Sequence, residues 1–131
     1  MDIIPCEATL GATITGIDLR ANLDDETFCA IEAAWHQYGV LIFPEQNLSD
    51  DQHIAFSRRF GELERMITKN FTDREEFAWL SNVKEDGTLW PHKSEHGLYL
   101  EGNRGWHTDS SFKPVPAMAS LLAAHQVPDT G

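Results

Sequence analysis

The stretch Asn103-Arg104-Gly105-Trp106-His107-Thr108-Asp109-Ser110-Ser111-Phe112 holds the residues best suited to chemistry. In a β-strand, residues two apart project to the same face, so the His107 imidazole and the Asp109 carboxylate would converge on one point. An imidazole and a carboxylate are two of the three ligands of the two-histidine, one-carboxylate facial arrangement, which holds non-haem Fe(II) and leaves positions open for oxygen and a co-substrate. The second histidine of such a site should lie well downstream. By itself the tripeptide is a weak signal, since about half an occurrence is expected by chance in a chain of this composition.

A rival constellation lies just upstream. His92-Lys93-Ser94-Glu95-His96 fits the His-x-x-Glu-His pattern of inverted zincin peptidases, which needs a helix to bring both imidazoles to one face. Pro91 and Gly97 bracket only this short run, and a single helical turn would hold such a site poorly. The zinc peptidase reading is therefore the weaker of the two.

Several elements must position these groups. Thr9-Leu10-Gly11-Ala12-Thr13-Ile14-Thr15 alternates polar and apolar residues, as a half-buried strand does. Asp24 can cap a helix in which Phe28, Ile31, Trp35 and Tyr38 recur at three- and four-residue intervals, with Gly39 as a stop. Val40-Leu41-Ile42-Phe43, closed by Pro44, reads as a buried strand. Ser49 with Gln52 forms a capping box for a second helix that should end at Gly61 and pack Ala55, Phe56 and Phe60 on the sheet. Phe77-Ala78-Trp79-Leu80 looks like another strand.

Residues 82–105 lose periodicity. A loop this long leading straight into His107 is expected to be a mobile lid, with Trp90, His92, Lys93 and Tyr99 as candidate substrate contacts, unless it is merely solvated. Ala117 to Val127, between Pro116 and Pro128, is ambiguous: its Ala and Leu content slightly favours helix, while a proline at each end suits a strand-length element.

Composition sets outer bounds. The 131 residues, 41% of them hydrophobic, suit one domain with a sizeable core and show no internal break. A formal charge of −11 argues against nucleic acid and anionic membrane as partners, because phosphate binding needs clustered Lys and Arg. No apolar run is long enough to span a bilayer, and the start shows no secretion signal. Cys6 and Cys29 form no Cys-x-x-Cys pair and are expected to be reduced thiols in a cytoplasmic protein.

Segments along nearly the whole chain carry a family resemblance. Gly16-Ile17-Asp18-Leu19, Tyr38-Gly39-Val40-Leu41-Ile42-Phe43, Phe60-Gly61-Glu62-Leu63, Trp106-His107-Thr108-Asp109 with Ser111-Phe112, and Pro128-Asp129-Thr130-Gly131 occur in order and at plausible spacing. Together they resemble the amino-terminal half of the TauD/TfdA family of Fe(II)- and 2-oxoglutarate-dependent dioxygenases. The resemblance implies an α+β, mainly β fold: an incomplete double-stranded β-helix, or jelly roll, with two flanking amino-terminal helices and 117–127 as one of its strands. Residues 1–131 would be the amino-terminal part of a single dioxygenase domain.

The activity implied is hydroxylation of a small anionic organic substrate, such as a sulfonate, sulfate ester or aryloxy or carboxylic acid, with 2-oxoglutarate and O2 as co-substrates. Fe(II) would be held by His107 and Asp109. Asn103 matches a substrate-pocket asparagine, and the backbone amide of Ser110 matches a contact to the substrate's anionic group. The pocket histidine of the taurine enzymes falls near Met66, which removes a charged donor and weighs against taurine. Lys69 lies near a lysine of the phenoxyacetate-type members and could bind a carboxylate or sulfonate as a point charge, unless it is simply an exposed lysine on a polar turn. Phe71 and Trp106 could line the pocket, although buried core is the simpler role for both.

Family members are considerably longer, and their second iron histidine, 2-oxoglutarate arginine and Gly-Gly-x-Thr threonine would all fall beyond Gly131. The chain alone is therefore expected to be inactive and to leave strand edges open. A homo-oligomeric parent stays open, as does a non-enzymatic alternative in which a truncated paralogue serves as an interaction module.

Overall fold

The computed structural model describes residues 1–65 and 74–128. They fall into two compact units: Met1–Gly61 together with the stretch that starts at Leu121, and Glu62–Ser120.

The first unit is built on a three-stranded mixed sheet of order β1-β2-β3. β1 (Asp2–Pro5) runs antiparallel to β2 (Ala12–Thr15), with Ile3 opposite Ile14, and β2 pairs in parallel with β3 (Leu41–Ile42). A parallel pair needs a crossover, and the helix α1 (Asp25–Tyr38) supplies it. The strand expected from Thr9 is shorter than its alternation. Gly11 takes φ +107°, which breaks the extended run, so β2 starts one residue later and Leu10 is left 57% exposed. β1 was not anticipated, and the pair Ile3-Ile4 before Pro5 is its only local signal.

α1 matches the sequence reading at both ends. The Asp24 carboxylate accepts from the Thr27 amide at 2.7 Å, which holds the Asp24 carboxyl below its usual range. Gly39 closes the helix at φ +74°, its amide donating to the Trp35 carbonyl at 2.8 Å. Phe28, Ile31 and Ala34 form the buried face.

β3 corrects the expectation of a buried strand over Val40 to Phe43. It is two residues long, and Val40 and Ile42 remain 47% and 49% exposed, because no described element covers that face of the sheet.

The second helix, α2 (Asp50–Ser57), continues into a 3-10 turn at Arg58–Phe60 and ends at Gly61. Its capping box is complete: the Gln52 amide donates to Ser49 Oγ at 3.3 Å, and the Ser49 amide donates to Gln52 Oε1 at 2.9 Å. Ser49→Ala is expected to destabilise the first unit by about 1 kcal/mol. Chemical denaturation would measure it, and an unchanged midpoint would show that the cap is dispensable. The buried face differs from expectation, since Ala55 is exposed and Ile54 and Phe56 are buried.

Leu19, Phe28, Ile31 and Phe56 make the central cluster, with Leu41, Phe43, Phe60 and Leu121 packed against it. Edge-to-face pairs knit the aromatic part, among them Phe28–Phe60 at 4.9 Å, Phe56–Phe60 at 5.5 Å, Phe43–Phe56 at 5.9 Å and Trp35–Phe60 at 6.0 Å between ring centroids. Arg59 covers the Phe28 ring at 4.5 Å and donates to the Leu23 carbonyl at 2.7 Å and to Asp25 at 2.8 Å. Both thiols are free.

No described residue of the second unit is buried, so the sizeable core expected for the whole chain is confined to the first. Phe77 to Leu80 forms no strand, and Trp79 and Leu80 are 49% and 52% exposed. The next turn folds on itself instead, with a bridge between Val83 and Leu89 around Gly87. Residues 82–105 are also more regular than an aperiodic loop, because α3 runs over Glu95–Asn103. Two glycines inside that helix, Gly97 and Gly102, hide its pattern. Gly97 has a packing reason: a Cβ there would meet the Pro91 carbonyl oxygen at 2.5 Å and the His92 carbonyl oxygen at 2.7 Å.

Ala117 to Val127 is irregular and mostly exposed rather than a strand. Backbone in that state lacks the ladder that would define one, since no described segment pairs with it. Among the described residues, no helix is long and apolar enough to cross a membrane.

Candidate active site

α3 is capped by Ser94, whose Oγ accepts from the Gly97 amide at 3.1 Å and donates to the Pro91 carbonyl at 2.7 Å. The helix ends at Asn103, and the chain turns through Arg104 and Gly105 into His107. The expectation that His107 and Asp109 lie on a strand is not met. They sit on irregular backbone entering a turn, and Ser110 immediately after takes φ +54°. The turn achieves what the strand was expected to do: His107 Nε2 and Asp109 Oδ1 are 3.1 Å apart.

The ring is oriented from behind. His107 Nδ1 lies 2.8 Å from the Gly105 carbonyl, which can only accept, so Nδ1 carries the proton and Nε2 faces Asp109. That carbonyl and then the Asp109 charge favour the imidazolium, raising the His107 pKa above the usual histidine value.

Asp109 is held as well. Ser120 Oγ donates to its second oxygen, Oδ2, at 2.6 Å. The turn beyond it is fastened to Glu64, which accepts from Ser110 Oγ at 2.6 Å and from the Lys113 ammonium. Lys113 and then Ser110 hold the Glu64 carboxyl below its ordinary range, so the tie is present at neutral pH and is lost only as pH falls through that lowered value.

Nε2 and Oδ1 suit a metal ion in spacing and in chemistry. Two atoms each about 2.1 Å from one octahedral ion and at right angles lie roughly 3.0 Å apart. Among the described residues no group of three His, Cys, Asp or Glu side chains is assembled for a metal. The pair is thus part of a site at most.

Other sequence candidates fall as follows. Asn103, partly buried, is the last residue of α3. Ser110 uses its hydroxyl on Glu64. Lys69, Phe71 and Met66 lie outside the described residues. Trp106 is fully exposed, contrary to the core role preferred for it, because it stands on the turn between α3 and His107 with no element over it.

The peptidase arrangement is absent. His92 precedes the α3 cap and its Nε2 is 4.0 Å from Glu101, while His96 is on the helix with Nε2 2.8 Å from the Ser81 carbonyl. The helix is longer than a single turn, but it starts too late to carry both imidazoles. The ring of Trp90 stands 4.7 Å from that of His96. Sequence reasoning missed Glu64 and Ser120, which are distant in sequence and carry no motif signal.

The family model for the taurine catabolism dioxygenase TauD, TfdA family matches residues 2–131, and the chain belongs to this family. It is 42% identical over 132 residues to the (S)-phenoxypropionate/alpha-ketoglutarate-dioxygenase of Sphingobium herbicidovorans, covering 99% of this chain and 42% of that protein. Identity to the alpha-ketoglutarate-dependent 2,4-dichlorophenoxyacetate dioxygenase of Cupriavidus pinatubonensis is 36%, over 97% of this chain and 46% of that protein. The solved structure of AAD-2 in complex with Mn(II) and N-oxalylglycine is similar with a TM-score of 0.74 and 32% identity, covering 88% of this chain and 38% of that one. The chain therefore spans less than half the length of these relatives.

Proposed function

We propose that the protein is an Fe(II)- and 2-oxoglutarate-dependent dioxygenase that oxidises a small anionic substrate of the aryloxy-acid class, and that this chain supplies two of its iron ligands, His107 and Asp109. The observation that carries the proposal is the 3.1 Å pairing of Nε2 with Oδ1, with Nδ1 committed to the Gly105 carbonyl. An imidazole, once Nε2 has lost its proton, and a carboxylate two positions on, with no thiolate among them, are two donors of the kind that hold non-haem iron. When bound, iron with 2-oxoglutarate and O2 supplies the oxidation, giving succinate, CO2 and a substrate that has gained one oxygen atom.

The chain's own residues orient the reactants. Gly105 fixes the His107 tautomer, so that the ring presents its unprotonated nitrogen once Nε2 gives up its proton. The second histidine and the groups that grip 2-oxoglutarate are expected to come from segments corresponding to the relatives' remaining length. The jelly roll belongs to the same proposal, completed in the intact protein by segments corresponding to the relatives' remaining length.

Aryloxy acids are favoured over sulfate esters by the relatives: identity is 42% to the phenoxypropionate enzyme and 30% to the sulfate ester dioxygenase of Pseudomonas putida. Asn103, the Ser110 backbone amide and Lys69 are the proposed substrate contacts. Lys69 rests on the resemblance to the phenoxyacetate-type members, while Arg104 and Lys113 have carboxylate partners in Glu101 and Glu64.

Succinate released from 2-oxoglutarate tests the proposal. With Fe(II) and the intact protein, (S)-2-phenoxypropionate should stimulate release well above taurine or an alkyl sulfate. No stimulation by any of the three, with metal bound, would favour a binding module over an enzyme.

A further inference from the structure

We infer that Ser120 is a positioning residue for Asp109: its hydroxyl holds one carboxylate oxygen and so turns the other toward the metal. The inference rests on the iron-site reading above and deepens it.

The chain turns and bends over residues 109–115, and Ser120 meets Asp109 across eleven positions. The resulting contact, Ser120 Oγ to Asp109 Oδ2, is 2.6 Å, the length of a hydroxyl donating to an ionised carboxylate. Ser120 is exposed, so the bond is not explained by a need to satisfy a buried group. Its geometric result is specific. With Oδ2 engaged, the plane of the carboxylate is fixed and Oδ1 alone faces His107 Nε2 at 3.1 Å.

The Asp109 side chain is 54% exposed, so packing does not fix it. Without Ser120 the contact of Oδ1 with His107 would be its one remaining described side-chain partner, and either oxygen, or both, could turn to a metal. The Glu64 tie to Ser110 and Lys113 anchors the backbone of the same turn, but it leaves the carboxylate torsion unrestrained. Ser120 therefore supplies the remaining constraint, as partners of metal-ligating carboxylates do elsewhere.

Mn(II) binding to the intact protein, read from the electron paramagnetic resonance of the free ion, tests this apart from turnover. Ser120→Ala should weaken Mn(II) binding about 10- to 100-fold with thermal melting unchanged, and Ser120→Thr, which keeps the hydroxyl, should return it to within about threefold of the parent. If Ser120→Ala binds like the parent while Asp109→Ala does not, the iron site stands and the role of Ser120 is overturned. Equal weakening in the alanine and threonine variants also overturns it, since the hydroxyl would then be irrelevant. If His107→Ala and Asp109→Ala both bind like the parent, the iron-site reading fails and takes this inference with it.

Discussion

His107→Ala and Asp109→Ala should each lower the Mn(II) affinity of the intact protein by more than about 100-fold, beyond what loss of an outer hydrogen-bond partner costs. Each change deletes one donor from a pair whose atoms stand 3.1 Å apart, and the surviving donor cannot fix an ion by itself. The two residues act as one unit, so the double variant should be little worse than either single one. His92→Ala and His96→Ala serve as controls and should bind like the parent, because these imidazoles face Glu101 and the Ser81 carbonyl instead. Calorimetric titration with Mn(II) reads all of these. Retained binding in His107→Ala together with loss in His96→Ala would return the peptidase constellation to consideration.

Phe28→Ala should cost about 3–5 kcal/mol of stability, the range for deleting a buried aromatic ring. Phe28 is 7% exposed and lies in the central cluster with Leu19, Ile31 and Phe56. Its removal also takes away the edge-to-face partner of Phe60 and the surface under the Arg59 guanidinium. Ala55→Ser, on the exposed side of α2, should change stability by less than about 0.5 kcal/mol. Urea denaturation of both variants separates the faces. A loss below about 1 kcal/mol for Phe28→Ala would mean that the cluster does not hold the first unit together.

What the residues announced in advance depended on how local the cause was. Asp24, Gly39, Ser49 and Gln52 act within a few positions of themselves, so α1 was legible at both ends and α2 at its start, whereas the α-helix stops at Ser57 and only a 3-10 turn reaches Gly61. The face of α2 was read less well, because Ile54 and Ala55 are adjacent and only tertiary packing decides which one turns inward. Strands fared worst. Phe77 to Leu80 and Ala117 to Val127 have strand-like apolar content, but a strand exists only through a partner, and none of the described segments pairs with either. α3 was hidden for the opposite reason, since Gly97 and Gly102 lower its helical propensity while Ser94 and the close approach at Gly97 hold it in place.

The candidate site was half legible. His107 and Asp109 were singled out from type, spacing and family segments, and their side chains do meet, although on a turn and not on the strand expected beneath them. A turn and a strand can both bring residues two apart together. The supporting contacts from Glu64 and Ser120 join positions 46 and 11 apart, a relation that no pattern along one chain displays.

Among the described residues, the central cluster of the first unit and the residues packed on it come almost wholly from one continuous stretch, Ile17 to Phe60, with Leu121 the single later addition. Contacts of short sequence separation close quickly, and chains acquire structure from the amino terminus during synthesis. A nascent chain can therefore bury most of this core before the codons for His107 and Asp109 have been translated, so that the turn carrying them is synthesised after the first unit can already have folded.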